Sequence, residues 1–512
     1  MEASKSNSNT KLVVAGLLLA IFMSAIDNTI VATAMGTIVS QLGGMDKFIW
    51  VTSAYMVTTM AGMPIFGKLS DMYGRKRFFI FGLGVFMIGS ALCGVAHTIE
   101  QLSIFRAIQG IGAGALMPIA FTIVFDIFPP ERRGKMVGLL GAVFGIASVV
   151  GPLLGAYITD HFGWEWVFYI NLPIGIVSLF LIIKNYKESP VLTKQKIDWW
   201  GAVTLVLAVI SLMFALELGG KQYEWSSAPI IALFISFAVF FIVFFFVELK
   251  AQEPILPFFL FKRRLFASSQ MLAFLYGGTF IILTVYIPIY VQAVYGGSAT
   301  NAGLILMPMM LGSVAGSAFG GIFLTKISYR NLMVISVISY FAGMFLLSTL
   351  TPDTARILLT LYMILVGFGM GFSFSLLPTA SQHNLDARYR GTANSTNSFL
   401  RTLGMTMGVT IFGTIQNNVF TSKLAEGFKN MGQSANSTMF ESGDMREIFE
   451  PSVREKMPAN ILDIIVNAMS SSVTHVFFLA LIPIVIAAIF VLMMGNSRVV
   501  VPTNKDEIDV KK

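Results

Sequence analysis

The chain has 512 residues, 55% of them hydrophobic and only 12% charged. Soluble domains carry about 25% charged residues, so a soluble protein of this size could not solvate its surface, and the chain reads as an integral membrane protein. The net charge of +8 suits basic cytoplasmic loops better than nucleic acid, and the single cysteine, Cys93, excludes intrachain disulfides and cysteine-rich metal sites.

Apolar runs of about twenty residues recur along the chain, long enough for membrane helices and too long for barrel strands. Fourteen candidate spans lie near 12–35, 48–70, 78–97, 101–125, 136–159, 167–184, 199–218, 228–247, 266–291, 300–325, 331–350, 356–378, 393–416 and 471–494. The first follows a polar stretch, Lys5 to Lys11, without a small-residue cleavage site, and reads as a retained helix. Six spans fill residues 1–190, a pair occupies 191–250, and six more fill 251–512. The expected architecture is all-α, with two six-helix bundles and an inserted two-helix hairpin.

Lys and Arg concentrate in segments that alternate spans place on one side, so both termini are expected in the cytoplasm. The one sizeable outer loop is then 417–470, and its amphipathic end, ANILDIIVNAMSS, is expected at the membrane interface.

Several motifs fail on context. GMPIFGK (62–68) fits the spacing of a phosphate-binding loop, but Leu69 replaces the metal-binding hydroxyl and no strand precedes it. The runs GIGAG (110–114) and GFGMG (367–371) sit inside apolar spans, where close helix packing accounts for them. The four histidines stand on separate segments. No catalytic, metal or nucleotide site is expected.

GKLSDMYGRKR (67–77) falls in a turn between two spans, with an acid four residues before an arginine and glycines seven apart. It resembles the signature loop of the major facilitator superfamily. That resemblance implies a cytoplasmic gate of Gly67, Asp71, Gly74 and Arg75, with Asp126 as a third charged member. LSIFRAIQGIGAGALMP (102–118) resembles the superfamily's fourth-helix motif, in which the arginine, here Arg106, is linked with proton transfer. GAVFGIASVVGPLLGAYI (141–158) resembles the antiporter motif of drug exporters, although Ala147 and Ala156 stand where that pattern prefers glycine. A kink and close packing are expected at Gly151, Pro152 and Gly155. AIDNTIVATAM (25–35), WEWVFYINLPIG (164–175), PIYVQAVYGGSATNAGLILMP (288–308) and NSFLRTLGMTMG (397–408) resemble the fourteen-helix drug:proton antiporter family. The counterpart turn FLTKISYR (323–330) has no acid, and no gating role is carried there.

Asp27 is the one acid well within a span. It lies roughly 12 Å from the outer end of its helix and Arg106 roughly 8 Å from the outer end of its own, at 1.5 Å per residue. Desolvation and a nearby guanidinium act oppositely on such a carboxyl, so Asp27 with Arg106 is the candidate proton-coupling and substrate site. A permanent structural ion pair is the competing reading. Trp50, Tyr55, Asn394, Asn397 and Arg401 are cavity candidates. Relatives often carry a further acid in the thirteenth helix, and here that helix has Asn394, Asn397 and Gln416 instead.

Together these features lead to a monomeric proton-coupled antiporter in the cell membrane, exporting amphipathic and in particular cationic drugs or toxic compounds by alternating access. The proton gradient is the energy source, and no cofactor, nucleotide or nucleic acid is involved. Export of one endogenous metabolite, lipid or peptide is an alternative, as is a membrane sensor or assembly subunit that no longer transports.

Overall fold

In lipid, every backbone N–H and C=O must find its partner within the chain, and the apolar runs satisfy this as helices. The computed structural model describes residues 9–43, 47–188, 197–220, 222–296, 306–430 and 457–499. In chain order the α-helices are α1 (Thr10–Leu42), α2 (Ile49–Tyr73), α3 (Arg75–Cys93), α4 (Ile99–Ile127), α5 (Pro130–Phe162), the short α6 (Trp166–Tyr169) and α7 (Asn171–Asn185). Next come α8 (Trp199–Leu218), α9 (Ala228–Lys250), α10 (Arg264–Tyr295), α11 (Met307–Phe323), α12 (Tyr329–Ser348), α13 (Arg356–Ser381), α14 (Arg390–Asn430), α15 (Ala459–Leu479) and α16 (Leu481–Met493). Among the described residues, ten helical segments are long and apolar enough to cross a membrane. This is a multi-pass, all-helical membrane fold.

Local chemistry sets several boundaries. The side chains of Thr98, Asp198 and Ser328 each accept a hydrogen bond from a first-turn N–H, opening α4, α8 and α12. Gly74, at φ 109°, separates α2 from α3. Any side chain there would be strained, and its Cβ would also meet the Glu188 carboxylate at 2.7 Å.

The apolar side chains gather into separate cores. One is built from α10 to α16, between Leu272 and Met494. Two others, between Val13 and Tyr186, belong to α1–α7 and the residues flanking them. Both groups repeat one packing device. Gly110 and Gly114 of α4 press on the α2 backbone while Gly112 presses on α3, and Gly367 and Gly371 of α13 press on α11 while Gly369 presses on α12. Glycines two apart therefore serve two neighbouring helices in turn, which is how small residues let membrane helices approach. The α8–α9 pair joins neither core: Ala202, Leu205, Val209 and Met213 of α8 and Phe244 of α9 pack beside Val57, Met60, Ala61 and Met63 of α2. Much of α9 faces outward, with Ile235, Val239, Ile242 and Phe246 exposed.

The loop boundaries differ from the sequence reading. α14 continues through residue 430, and the ANILDIIVNAMSS segment is the start of α15. Phe420, Leu424 and Phe428 share one buried stripe and join the same core as Ile465, Ala468 and Met469 of α15. That mutual burial extends both helices past their most apolar stretches; the rest of the expected outer loop, 431–456, lies outside the described residues.

The glycine contacts generate a stability test. A side chain on Gly112 would collide with the backbone of Gly82 and Phe86, whereas Gly84 faces open space. Gly112→Val should destabilise the protein by about 1–3 kcal/mol or more, as overpacking does, lowering its thermal unfolding midpoint in detergent. Gly84→Ala should leave the midpoint unchanged or slightly raised.

Candidate functional site

An ionised side chain in an apolar bundle is tolerable only when it is paired and hydrogen-bonded. Asp27 in α1 and Arg106 in α4 are almost wholly buried, 0% and 1% exposed, and they meet. Arg106 Nη1 lies 2.5 Å from Asp27 Oδ2. Asp27 Oδ1 accepts from Gln109 Nε2 at 2.8 Å and from Asn171 Nδ2 at 2.9 Å. Three donors from α4 and α7 converge on one carboxylate. An ionised carboxyl only accepts hydrogen bonds, so this arrangement suits the charged form.

A further ring of groups holds the donors. Arg106 Nη1 also donates to Gln109 Oε1 at 2.7 Å and Nε donates to Val51 O at 3.4 Å. Its guanidinium lies over the Tyr55 ring, 4.0 Å from the centroid, a favourable cation–π position. The Ser90 hydroxyl of α3 donates to Phe168 O at 2.8 Å and accepts from Gln109 and Asn171 at 3.2 and 3.0 Å. Sequence reasoning placed Asp27 and Arg106 at similar depth and named Tyr55. It did not assign Asn171, an amide inside the quoted 164–175 motif, or Ser90, a lone hydroxyl in an apolar helix that carries no sequence signal.

A second cluster closes the end of the bundle that carries the 67–77 turn. Asp71 Oδ1 accepts from Gly391 N at 2.8 Å, and Oδ2 accepts from Thr392 N at 2.7 Å and the Thr392 hydroxyl at 3.2 Å. Asp71 of α2 therefore caps the first turn of α14, where unpaired N–H groups and the helix dipole favour a negative charge. Arg75 pairs with Asp71 at 3.3 Å, contacts Asp126 directly, and donates to Ala387 O at 2.9 Å. A Cβ on Gly67 would run into Ser395. The turn thus joins α2–α4 to the α13–α14 region through both charge and close backbone approach.

The remaining candidates fall in several places. Pro152 lies inside α5, and Gly151 and Gly155 press on Thr29 and Thr33 of α1. Asn394 donates to Pro118 O at 2.8 Å, bridging α14 to α4, and Asn397 donates to Ser269 O and Gln270 Oε1 of α10, each at 3.3 Å. Arg401 is buried in α14, donates to Ser373 O at 3.0 Å and lies 4.8 Å from the Phe374 ring centroid. No ion pair among the described residues includes Arg401. Trp50 packs edge-on against Phe214 of α8, with ring centroids 5.0 Å apart. No cluster of three or more metal-ligating side chains occurs among the described residues.

A multi-pass helical bundle with a buried ion pair in one group of helices and a charged clasp between groups defines a class of membrane carrier. The major facilitator superfamily profile matches residues 17–409, and the chain belongs to that superfamily, a family of transporters and not of enzymes. It is 67% identical over 493 residues to "Multidrug resistance protein 3" of Bacillus subtilis, covering 96% of each chain. It is 36% identical to the same organism's "Multidrug transporter protein MdtP", covering 96% of this chain and 95% of that one. Among solved structures it shares the fold of the human organic anion transporter MFSD10, with TM-score 0.60, 14% identity, and coverage of 93% and 99% of the two chains. The proton:xylose symporter XylE gives TM-score 0.60 at 13% identity, with 92% and 94% covered.

The Asp71 cap generates a prediction. Hydrogen bonds to a charged group contribute about 1.5–3 kcal/mol. Asp71→Asn should therefore weaken the junction with α14 and widen the distance distribution between spin labels on α3 and α13. Thr392→Val, which removes one neutral hydroxyl, should widen it much less.

Proposed function

We propose that the chain is a proton-coupled antiporter that exports amphipathic, in particular cationic, drugs or toxic compounds by alternating access. The observation that carries this reading is the buried Asp27 carboxylate held by Arg106, Gln109 and Asn171. An intramembrane ionisable residue is by default a functional one. Arg106 and two amides hold the carboxylate in this conformation; when the helices shift and those donors withdraw, a proton takes their place. Proton gain and loss are then tied to which side of the bundle is open. Moving one charge across 100 mV supplies about 2.3 kcal/mol, enough for a nearly fifty-fold substrate gradient. The names of the two Bacillus relatives support drugs as the substrate class.

The topology that goes with this reading has fourteen spans, with α6–α7 counted as one and α15–α16 as one. Two six-helix halves flank the α8–α9 hairpin, and the glycine pattern shared by α4 and α13 supports the repeat. Both termini and the 67–77 turn face the cytoplasm, where the basic residues belong. Gly67, Asp71, Gly74, Arg75 and Asp126 then form the cytoplasmic gate, closed in this conformation. Gly151, Pro152 and Gly155 keep α5 close to α1 as the halves rock. Tyr55, Trp50, Asn394, Asn397 and Arg401 belong to the substrate path, and the protein works as a monomer without a cofactor.

The test uses purified protein in proteoliposomes with an imposed pH gradient. Wild type should show proton flux that depends on added cationic dye and should drive the dye uphill. Asp27→Asn should insert at wild-type yield yet lose uphill efflux, because Asn keeps the volume and cannot cycle a proton. Uphill efflux at the wild-type rate by Asp27→Asn would remove the coupling role. Loss of inserted protein in the same variant would favour a structural ion pair, since breaking a buried pair costs about 3–5 kcal/mol.

A further inference from the structure

A cavity of about 240 Å³ lies between α4–α5 and the later helices, lined by Phe125 and Arg133 on one side. Tyr329, Thr379, Gln382, His383, Arg390 and Arg498 line the other. Three of its lining residues are arginines, contributed by the start of α5, the start of α14 and the segment after α16, and among the described residues no carboxylate lines it.

Three described acids lie nearby, of which Asp386, exposed beside Leu385, accepts the Arg388 N–H at 3.2 Å and also attracts Arg390. Asp71 serves the first turn of α14, and Asp126 contacts Arg75 directly and reaches Arg390 only at 3.7 Å. Arg133 Nε donates to Phe128 O at 2.9 Å, with its guanidinium 5.2 Å from the Phe125 ring centroid. No ion pair among the described residues includes Arg498. His383 lies 3.4 Å from the Tyr329 hydroxyl, and burial pushes its pKa down, so it adds no positive charge. Gln382 is 4% exposed, and its amide oxygen has no hydrogen-bond partner among the described residues.

We propose that this cavity is a binding site for a phosphate-bearing anion, either an anionic lipid headgroup or a free phosphate. Guanidinium forks match phosphate oxygens, and the lone Gln382 oxygen takes a hydroxyl that such a group carries, the P–OH of a phosphate or a headgroup hydroxyl. Because both groups of helices supply the walls, the site is complete only while this end is closed. An occupant therefore stabilises the closed arrangement by its differential affinity for it.

The full-length chain carrying Cys93→Ser and Val499→Cys, in phosphatidylcholine nanodiscs, provides the test. Val499 lines the cavity and is half-buried, so occupancy slows its labelling by a maleimide. Inorganic phosphate at ten times its dissociation constant should slow labelling about ten-fold relative to chloride at equal ionic strength. If phosphate has no effect but phosphatidylglycerol in the nanodisc gives the same slowing, the occupant is a lipid headgroup. Adding Arg498→Gln should abolish either protection, and Arg498→Lys should keep part of it. A phosphate- or phosphatidylglycerol-dependent rise in unfolding temperature, lost in Arg498→Gln, gives the same answer should Val499→Cys fail to fold. No protection by either, or full protection in Arg498→Gln, overturns the site. So does deletion of residues 500–512 that speeds labelling without phosphate, since the occupant is then a carboxylate of the chain's own C-terminal residues, which include Asp506, Glu507 and Asp509.

Discussion

A charge in an apolar bundle has to carry its solvation with it, and the Asp27–Arg106 pair is where this fold meets that demand. One carboxylate and one guanidinium recruit Gln109, Asn171, Ser90, Tyr55 and the Val51 carbonyl, drawing on α2, α3, α4 and α7 as well as α1. Removing water strengthens each of these interactions and makes any unpaired partner expensive. The helices around α1 are therefore positioned as much by this polar cluster as by the apolar cores beside it. A cluster with so much at stake has few arrangements available, which suits a switch between two states better than a gradual response.

The clasp at the other end of α2 works by different physics. Asp71 lies against the open first turn of α14 and replaces a capping residue that the α14 sequence does not supply. Arg75 then balances Asp71 and Asp126 together. The Asp71 side chain is almost wholly shielded, whereas that of Asp126 is 20% exposed, so the Arg75–Asp126 contact is the one more open to water and easier to undo. Gly67 and Gly391 allow the backbones to approach closely enough for the cap to form. A bulkier residue at either position would hold the two groups of helices apart.

The α8–α9 pair stands apart from both clusters. It packs on α2 through α8, and the segment after α9 returns to α2 through the Lys68–Glu253 ion pair at 2.7 Å. Glu248 secures that return by accepting the Ile255 and Leu256 N–H groups at 3.1 and 3.2 Å. The hairpin is thereby tied to the helix that carries the clasp, while most of α9 is left for lipid.

Much of this was legible in the residues themselves. Run length and the scarcity of charge determined that the chain crosses a membrane many times, because a bilayer sets both the length and the polarity of what can span it. The depth of Asp27 and Arg106, the acid and arginine of the 67–77 turn, and the alternating glycines were each visible as departures from an apolar background. Other features came only with tertiary structure. Ser90 and Asn171 matter because α3 and α7 bring them beside α4, and a hydroxyl or amide in one helix carries no mark of which neighbour it will face. The length of α14 and the early start of α15 were decided by the stripe that they bury against each other. Local hydropathy registers how apolar a segment is, whereas burial depends on a partner distant in the chain, and that distance is what the fold removes.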